Sequence, residues 1–243
     1  MWKTHSGPYT LRADQAHVWR VSCTSARAHL NAFQESLAED ERVRAARFHF
    51  EKGRENYVVA RGVLRQLLGA YLAMPPAEVR LTYSAHGKPD LDTAHQSEFR
   101  FNLTHSGDMM LFAFARNARI GVDVERCRPD FDGQRIADRF FTEAESSALR
   151  AVHESKRVHA FTQQWTRKEC FIKAHGEGLS YPLDTFSVLA NEDETLCLDI
   201  RSVASDSLLW SIHDLQVGEE YAAALAVECA DPNLNLFDWT SQE

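Results

Sequence analysis

Ile120-Gly121-Val122-Asp123-Val124-Glu125 alternates aliphatic residues with glycine and acids, a period of two. Side chains of a strand leave opposite faces in turn, so Ile120, Val122 and Val124 enter a core while Asp123 and Glu125 share the other face. Like charges side by side on one strand face repel. A divalent cation between them removes that objection. Oxygen-only ligands suit Mg2+, which keeps several waters and usually shares itself with a substrate phosphate. Taken alone, D-x-E reads first as a solvated strand edge, since so short a motif recurs freely by chance.

Downstream lies Trp165-Thr166-Arg167-Lys168-Glu169-Cys170-Phe171-Ile172-Lys173-Ala174-His175-Gly176-Glu177-Gly178-Leu179. Trp165, Glu169 and Lys173 recur at i, i+4 and i+8, one stripe of a helix. The stripe offers a third carboxylate beside a cation suited to a phosphate oxygen, although the same spacing also describes a surface ion pair. Gly176 and Gly178 then stop the helix.

Together the two stretches, G-[IV]-D-[IV]-E and W-x-x-K-E-[AC]-x-x-K-x-x-G-x-G-L, resemble the 4'-phosphopantetheinyl transferases of the larger, surfactin-synthetase-activating (Sfp-type) group. The resemblance implies an α+β fold of two similar α+β subdomains related by a pseudo-twofold axis. The related acyl-carrier-protein synthases are half as long and oligomeric, and the larger members resemble two such units fused. That implies an N-terminal subdomain at 1–117, a C-terminal subdomain at 118–243, and a monomer.

Composition agrees with a globular chain: 243 residues, 44% hydrophobic and 26% charged. There is no apolar run of the roughly 18 residues that a membrane helix needs. The first residues lack the apolar core of a signal peptide. Five scattered cysteines without a C-x-x-C argue against a disulfide framework or a zinc site. The expectation is a cytoplasmic protein away from membranes. Residues 1–118 carry 15 Lys and Arg against 12 acids, while residues 119–243 carry 12 against 23. An acidic half that collects a metal facing a basic half that collects phosphate fits a Mg2+–polyphosphate ligand, as does ordinary solvated surface. The net charge of −8 argues against nucleic-acid binding.

In the first half, Tyr9–Val21 reads as strand with a turn near Arg12–Gln15, and Leu30, Phe33 and Leu37 mark a helix over 26–39. The pattern stays helical from Glu39 to Leu72, with a break expected at Gly53. Arg54, Arg61 and Arg65 fall on one face of it, a solvated cationic face or an anion-binding one. Val79–Tyr83 reads as a strand, and Ser84–Pro89 as a turn presenting Lys88. Phe99–Gly107 and Met109–Ala115 read as a hairpin leading into Asp123. In the second half, Thr142 is an N-cap with Glu145 in the capping-box position. Helices follow to about residue 154 and over 156–175, then strands at Phe186–Leu189, Leu196–Ile200, Leu208–His213 and Tyr221–Val227. The last fifteen residues read as a loosely packed tail.

The family resemblance assigns roles. Asp123, Glu125 and Glu169 would hold Mg2+. Lys173 would offset charge on the leaving phosphate, and Glu169 would be the general base, directly or through water. Trp165 would shape the site. Coenzyme A contacts would come from Arg47, Arg54 and Arg61, from Gly87, Lys88 and Pro89, from Thr104 and His105 of F-N-L-T-H-S-G, and from Lys173. Where some members carry lysines, this chain has Glu39-Asp40-Glu41, so Arg44 or Arg47 would substitute. The implied reaction moves 4'-phosphopantetheine from coenzyme A, the co-substrate, to a serine of an apo acyl or peptidyl carrier protein. The rivals are a Mg2+-dependent phosphohydrolase of coenzyme A-like nucleotides and a non-catalytic coenzyme A- or carrier-binding module.

Overall fold

Two chains of events with the same order build the protein: a strand, helices ending in one long helix, a small hairpin, and a second hairpin that returns to the first strand. The computed structural model describes every residue except 6–8, 85–86, 177, 179–180, 192–194, 201–209 and 241–243. After β1 (Lys3–Thr4), the first set runs β2 (Gln15–Ser22), α1 (Cys23–Ala26), α2 (Leu30–Ser36), α3 (Glu39–Ala46), α4 (Glu51–Leu72), β3 (Leu81–Tyr83), β4 (Pro89–Leu91), β5 (Phe99–Ser106) and β6 (Met109–Arg116). The second runs β7 (Ile120–Arg126), α5 (Gly133–Phe140), α6 (Glu143–Ala151), α7 (Glu154–His175), β8 (Phe186–Ala190), β9 (Leu196–Ile200), β10 (Ser211–Asp214) and β11 (Tyr221–Val227), followed by β12 (Asn233–Asp238). The expected strand Leu208–His213 is seen as β10, its first residues lying outside the described ones.

The sheets repeat the same order. β2-β6-β5 in the first matches β7-β11-β10 in the second, each antiparallel, and β3-β4 matches β8-β9. The long helices α4 and α7 are both 22 residues. This is the α+β architecture of two similar subdomains about a pseudo-twofold axis. The layers run helix, sheet, sheet, helix. Trp19, Phe112 and Phe114 face α4, while Ala16, Val18, Leu111 and Ala113 meet Ile120, Val122, Val124 and Leu225 between the sheets. Cys170, Phe171 and Ala174 of α7 cover Ala224 and Ala226 on the far side.

A buried ion pair repeats as well, and it explains why the helices lock. Glu41, in the first turn of α3, accepts from Arg65 Nε at 2.6 Å and from the Ala38 backbone N–H. Glu145, in the first turn of α6, accepts from Lys168 Nζ at 2.7 Å and from the Thr142 N–H. Arg65 and Lys168 stand at the same position along α4 and α7. Each also reaches main-chain carbonyls beyond its helix, Pro76 and Val79 in one case and Phe186 in the other. A buried charge needs both a counter-ion and such hydrogen bonds to remain ionised.

Three expectations are corrected. Gly53 does not break a helix. The break comes earlier, where Arg47 ends α3 and Phe50 is extended at φ −108°, and Gly53 falls in the first turn of α4, where it interrupts little. Residues 26–39 are not one helix: α1 ends at Ala26, a 3-10 turn spans Arg27–His29, and α2 ends at Ser36 before α3 begins at Glu39. The last fifteen residues are no tail: β12 runs parallel to β2 and lies between β1 and β2, with Phe237 buried. Its alternating Leu234, Leu236 pattern is that of a strand, but the partner is more than two hundred residues away in the chain.

Candidate active site

β7 and α7 form the site because Gly121 lets them touch. A Cβ there would lie 2.1 Å from the Cys170 carbonyl oxygen and 2.4 Å from the Ala174 nitrogen. With no side chain at 121, α7 packs onto the face of β7 that carries Asp123 and Glu125. The stripe read from the sequence, Trp165, Glu169 and Lys173, therefore meets those two acids. Gly176, at φ 96°, ends the helix just past Lys173.

Asp123 is the centre of it. It is only 2% exposed, and its Oδ1 accepts from Lys173 Nζ at 2.6 Å and from Thr104 Oγ1 at 3.1 Å. Its Oδ2 is buried with no hydrogen-bond partner. An orphaned carboxylate oxygen of this kind is costly. Burial pushes the Glu169 carboxyl up to about 7; the neighbouring charges of Asp123 and Glu125 add to the shift, and Lys173 opposes it. Glu125 is raised too, first by burial and then by Asp123, against a hydrogen bond from Ser106 Oγ at 2.8 Å.

Among the described residues no three His, Cys, Asp or Glu side chains already close on one point as a metal cage. Asp123 is neutralised by Lys173 instead. The donor set nevertheless fits a hard divalent cation: three carboxylates, one with a lone buried oxygen and two whose ionisation is opposed by burial and by each other.

Positive charge gathers on one side of these acids. Lys88, from the turn of the first subdomain, donates to the Lys173 carbonyl at 2.5 Å. Burial lowers the Lys88 pKa, and the charge of Lys173 lowers it further. Gly87 takes φ +77°, which supports the turn, and Pro89 opens β4. Residues 85 and 86 of that turn, and 177 and 179 of the α7 motif, lie outside the described residues. His105 is solvent-exposed on β5, yet restricted hydration and then the Lys173 charge lower its pKa. Thr104 links the two clusters, touching both Lys173 Nζ and Asp123.

The arginines expected to meet phosphate lie apart from this cluster. Arg61 is 6% exposed, 3.7 Å from Glu41, with Tyr57 and Tyr83 rings against its guanidinium. It occupies on α4 the place that Gln164, another Glu145 partner, occupies on α7. Arg54 pairs with Glu51, and Arg47 lines a surface groove with Arg44, Phe48 and Tyr83. None of the three has a described contact with Asp123, Glu125, Glu169 or Lys173. Glu41, read as part of an acidic substitution for lysines, is buried in the Arg65 pair.

Trp165 packs on Phe141 and Phe161, as a shaping residue should. With Phe131, Ile136 and Phe161 it lines one wall of a pocket beside Glu125, whose other walls are Arg126, Arg128 and Thr162. Three residues escaped the sequence reading. Lys168 of the motif faces away from the acids, fully buried on Glu145. Asn102 and Ser106 share a strand face with Thr104, a polar period of two within an apolar strand, and that alternation was the available signal.

The comparisons fall along the same division. Residues 119–226 match the model of the 4'-phosphopantetheinyl transferase superfamily, and residues 19–117 match the N-terminal model of 4'-phosphopantetheinyl transferases. The 4'-phosphopantetheinyl transferase HetI of Nostoc sp. is 33% identical, covering 93% of this chain and 93% of that one. The 4'-phosphopantetheinyl transferase Sfp of Bacillus subtilis is 30% identical, over 69% of this chain and 73% of that one. Among solved structures, a holo-(acyl-carrier-protein) synthase from Bacillus anthracis aligns at a TM-score of 0.37 and 21% identity, over 44% of this chain and 92% of that one.

Proposed function

The chain belongs to the 4'-phosphopantetheinyl transferase superfamily, enzymes that transfer phosphopantetheine to carrier proteins, and from that premise we propose the full reaction. The 4'-phosphopantetheine arm of coenzyme A passes to a serine hydroxyl of an apo acyl or peptidyl carrier protein. Adenosine 3',5'-bisphosphate leaves, and Mg2+ is the cofactor.

One observation carries this reading: a buried Asp123 with one oxygen on Lys173 and the other unpartnered, beside two carboxylates whose ionisation is opposed. Phosphoryl transfer is mostly positioning and charge neutralisation. Asp123, Glu125 and Glu169 would hold Mg2+, which when bound supplies Lewis-acid stabilisation of the pyrophosphate. Lys173 neutralises the departing phosphate, Lys88 extends that cationic edge, and His105, kept neutral by its lowered pKa, offers a ring N–H to the diphosphate. Glu169 takes the proton of the attacking serine. The pocket at Trp165 borders Glu125, and its apolar wall of Phe131, Ile136 and Phe161 suits the uncharged arm.

Intact-mass spectrometry of apo acyl and apo peptidyl carriers, incubated with coenzyme A and Mg2+, tests the proposal. Gain of one phosphopantetheine that EDTA suppresses is the expected result, and the two carriers are ranked in the same experiment. Coenzyme A consumed with neither carrier modified would refute it in favour of hydrolysis.

A further inference from the structure

β5 belongs to the first subdomain, and its polar face reaches β7 of the second at three successive places. Asn102 Oδ1 accepts from the Val122 N–H at 3.0 Å, Thr104 donates to Asp123 Oδ1 at 3.1 Å, and Ser106 donates to Glu125 Oε2 at 2.8 Å. The last of these is the most constrained. A serine hydroxyl has one proton to donate and lone pairs to accept with. Ser106 Oγ accepts from the Arg126 N–H at 3.1 Å, and this backbone bond turns the hydroxyl proton toward Glu125.

We infer that Ser106 is a positioning residue for the cation site: it holds Glu125 by Oε2, leaves Oε1 to face the site, and so sets the affinity of the three carboxylates for a divalent ion. The inference rests on the proposed Mg2+ role of Asp123, Glu125 and Glu169. Without this bond Glu125 is a half-buried glutamate whose side-chain torsions nothing else described restrains. Hydrogen-bond partners of metal-ligating groups commonly govern affinity in this way. The arrangement also makes the metal-holding subdomain depend on a side chain from the other one. The unpartnered Asp123 Oδ2 lies two residues away on the same face of β7.

The test is Mn2+ titration of the full chain, with free ion counted by electron paramagnetic resonance. It compares wild type with Ser106→Ala, Ser106→Cys and Ser106→Thr, alongside urea unfolding and carrier modification. Ser106→Ala and Ser106→Cys weaken Mn2+ binding about 10–100-fold, and Ser106→Thr, which keeps the hydroxyl, restores it to within about threefold. Equal affinity in either folded hydroxyl-free variant overturns the inference, as does failure of Ser106→Thr to restore binding. Loss of fold in both hydroxyl-free variants makes Ser106 a structural latch and also ends it. A wild type that neither binds Mn2+ nor modifies a carrier overturns the proposed function itself. A wild type that does both, beside an unaffected Ser106→Ala, overturns the positioning role alone.

Discussion

Gly121→Ala tests whether the contact between β7 and α7 sets the chemistry. The added Cβ would sit 2.1 Å from the Cys170 oxygen and 2.4 Å from the Ala174 nitrogen, both main-chain atoms, so no side-chain rotation relieves it. Recovering an ordinary carbon–oxygen separation of about 3.3 Å requires helix and strand to part by about 1.2 Å. The Lys173–Asp123 bond, 2.6 Å long, crosses that same gap and does not survive such a movement with good geometry. Overpacking of this size costs about 1–3 kcal/mol of stability. A displacement of about 1 Å between reacting groups costs about 100-fold in rate. Urea unfolding and the initial rate of carrier modification read the two effects separately. A stable variant whose rate stays within about threefold of wild type would show that the close approach is packing only, and that Glu169 and Lys173 do not act against Asp123.

Asp123→Ala should abolish transfer in a folded protein, checked by carrier mass and circular dichroism; near-normal Mg2+-dependent transfer would refute the metal assignment. Lys88→Ala and His105→Ala should raise the KM for coenzyme A more than they lower kcat, and an unchanged KM in both would contradict the cationic edge. Lys168→Met strands Glu145 without its counter-ion and should cost about 3–5 kcal/mol in urea unfolding, whereas a surface pair would cost less than about 1 kcal/mol. His17 gives a pH prediction. It is buried, its Nδ1 hydrogen-bonded to the Tyr71 hydroxyl at 2.8 Å, and that hydroxyl accepts from Trp19 Nε1. Burial lowers its pKa from 6.5 to about 4, with smaller contributions from His5 and Lys3. Between those values the unfolded chain binds a proton that the folded one refuses, so stability rises with pH through the window. It is lost as pH falls toward 4, by about 3 kcal/mol. In His17→Gln this share of the acid sensitivity should vanish; an unchanged difference between pH 7 and pH 4 would count against it.

The site was legible where its signals were local. The period of two put Asp123 and Glu125 on one face, the i, i+4, i+8 stripe put Glu169 and Lys173 on another, and Thr142 with Glu145 announced the start of α6. What the sequence hid was non-local. Glu145 reads as a cap, and nothing nearby says that Lys168 pairs with it. The twofold repeat is invisible to residue identity because Arg61 and Arg65 on α4 match Gln164 and Lys168 on α7. Only the geometry, a carboxylate in the first turn of one helix bound to a cation in the next, is shared. Arg61, expected on a solvated cationic face or at a coenzyme A phosphate, hid its ion pair for the same reason: its partner Glu41 lies twenty residues back, in a run of acids that reads as solvent-facing. At the places corresponding to Glu169 and Lys173, α4 carries Gln66 and Ala70, so the repeat duplicates the scaffold and not the carboxylate–lysine stripe.

The route of β12 has a consequence for how the protein comes into being. β2 is paired on one side by β6 and on the other by β12, Gln15 lying opposite Asn233. During synthesis the first subdomain can collect α4, β5 and β6 early, yet one flank of its sheet has no hydrogen-bond partner until β12 emerges. At the roughly 5–20 residues per second of a translating ribosome, the wait from the end of β6 to β12 lasts about 6–23 s. Through that interval the nascent chain presents a bare, partly apolar strand edge, the kind of surface that pairs with strangers. β12 acts on the first sheet like a clasp, and a ribosome that stalls shortly before Asn233 would leave that edge open.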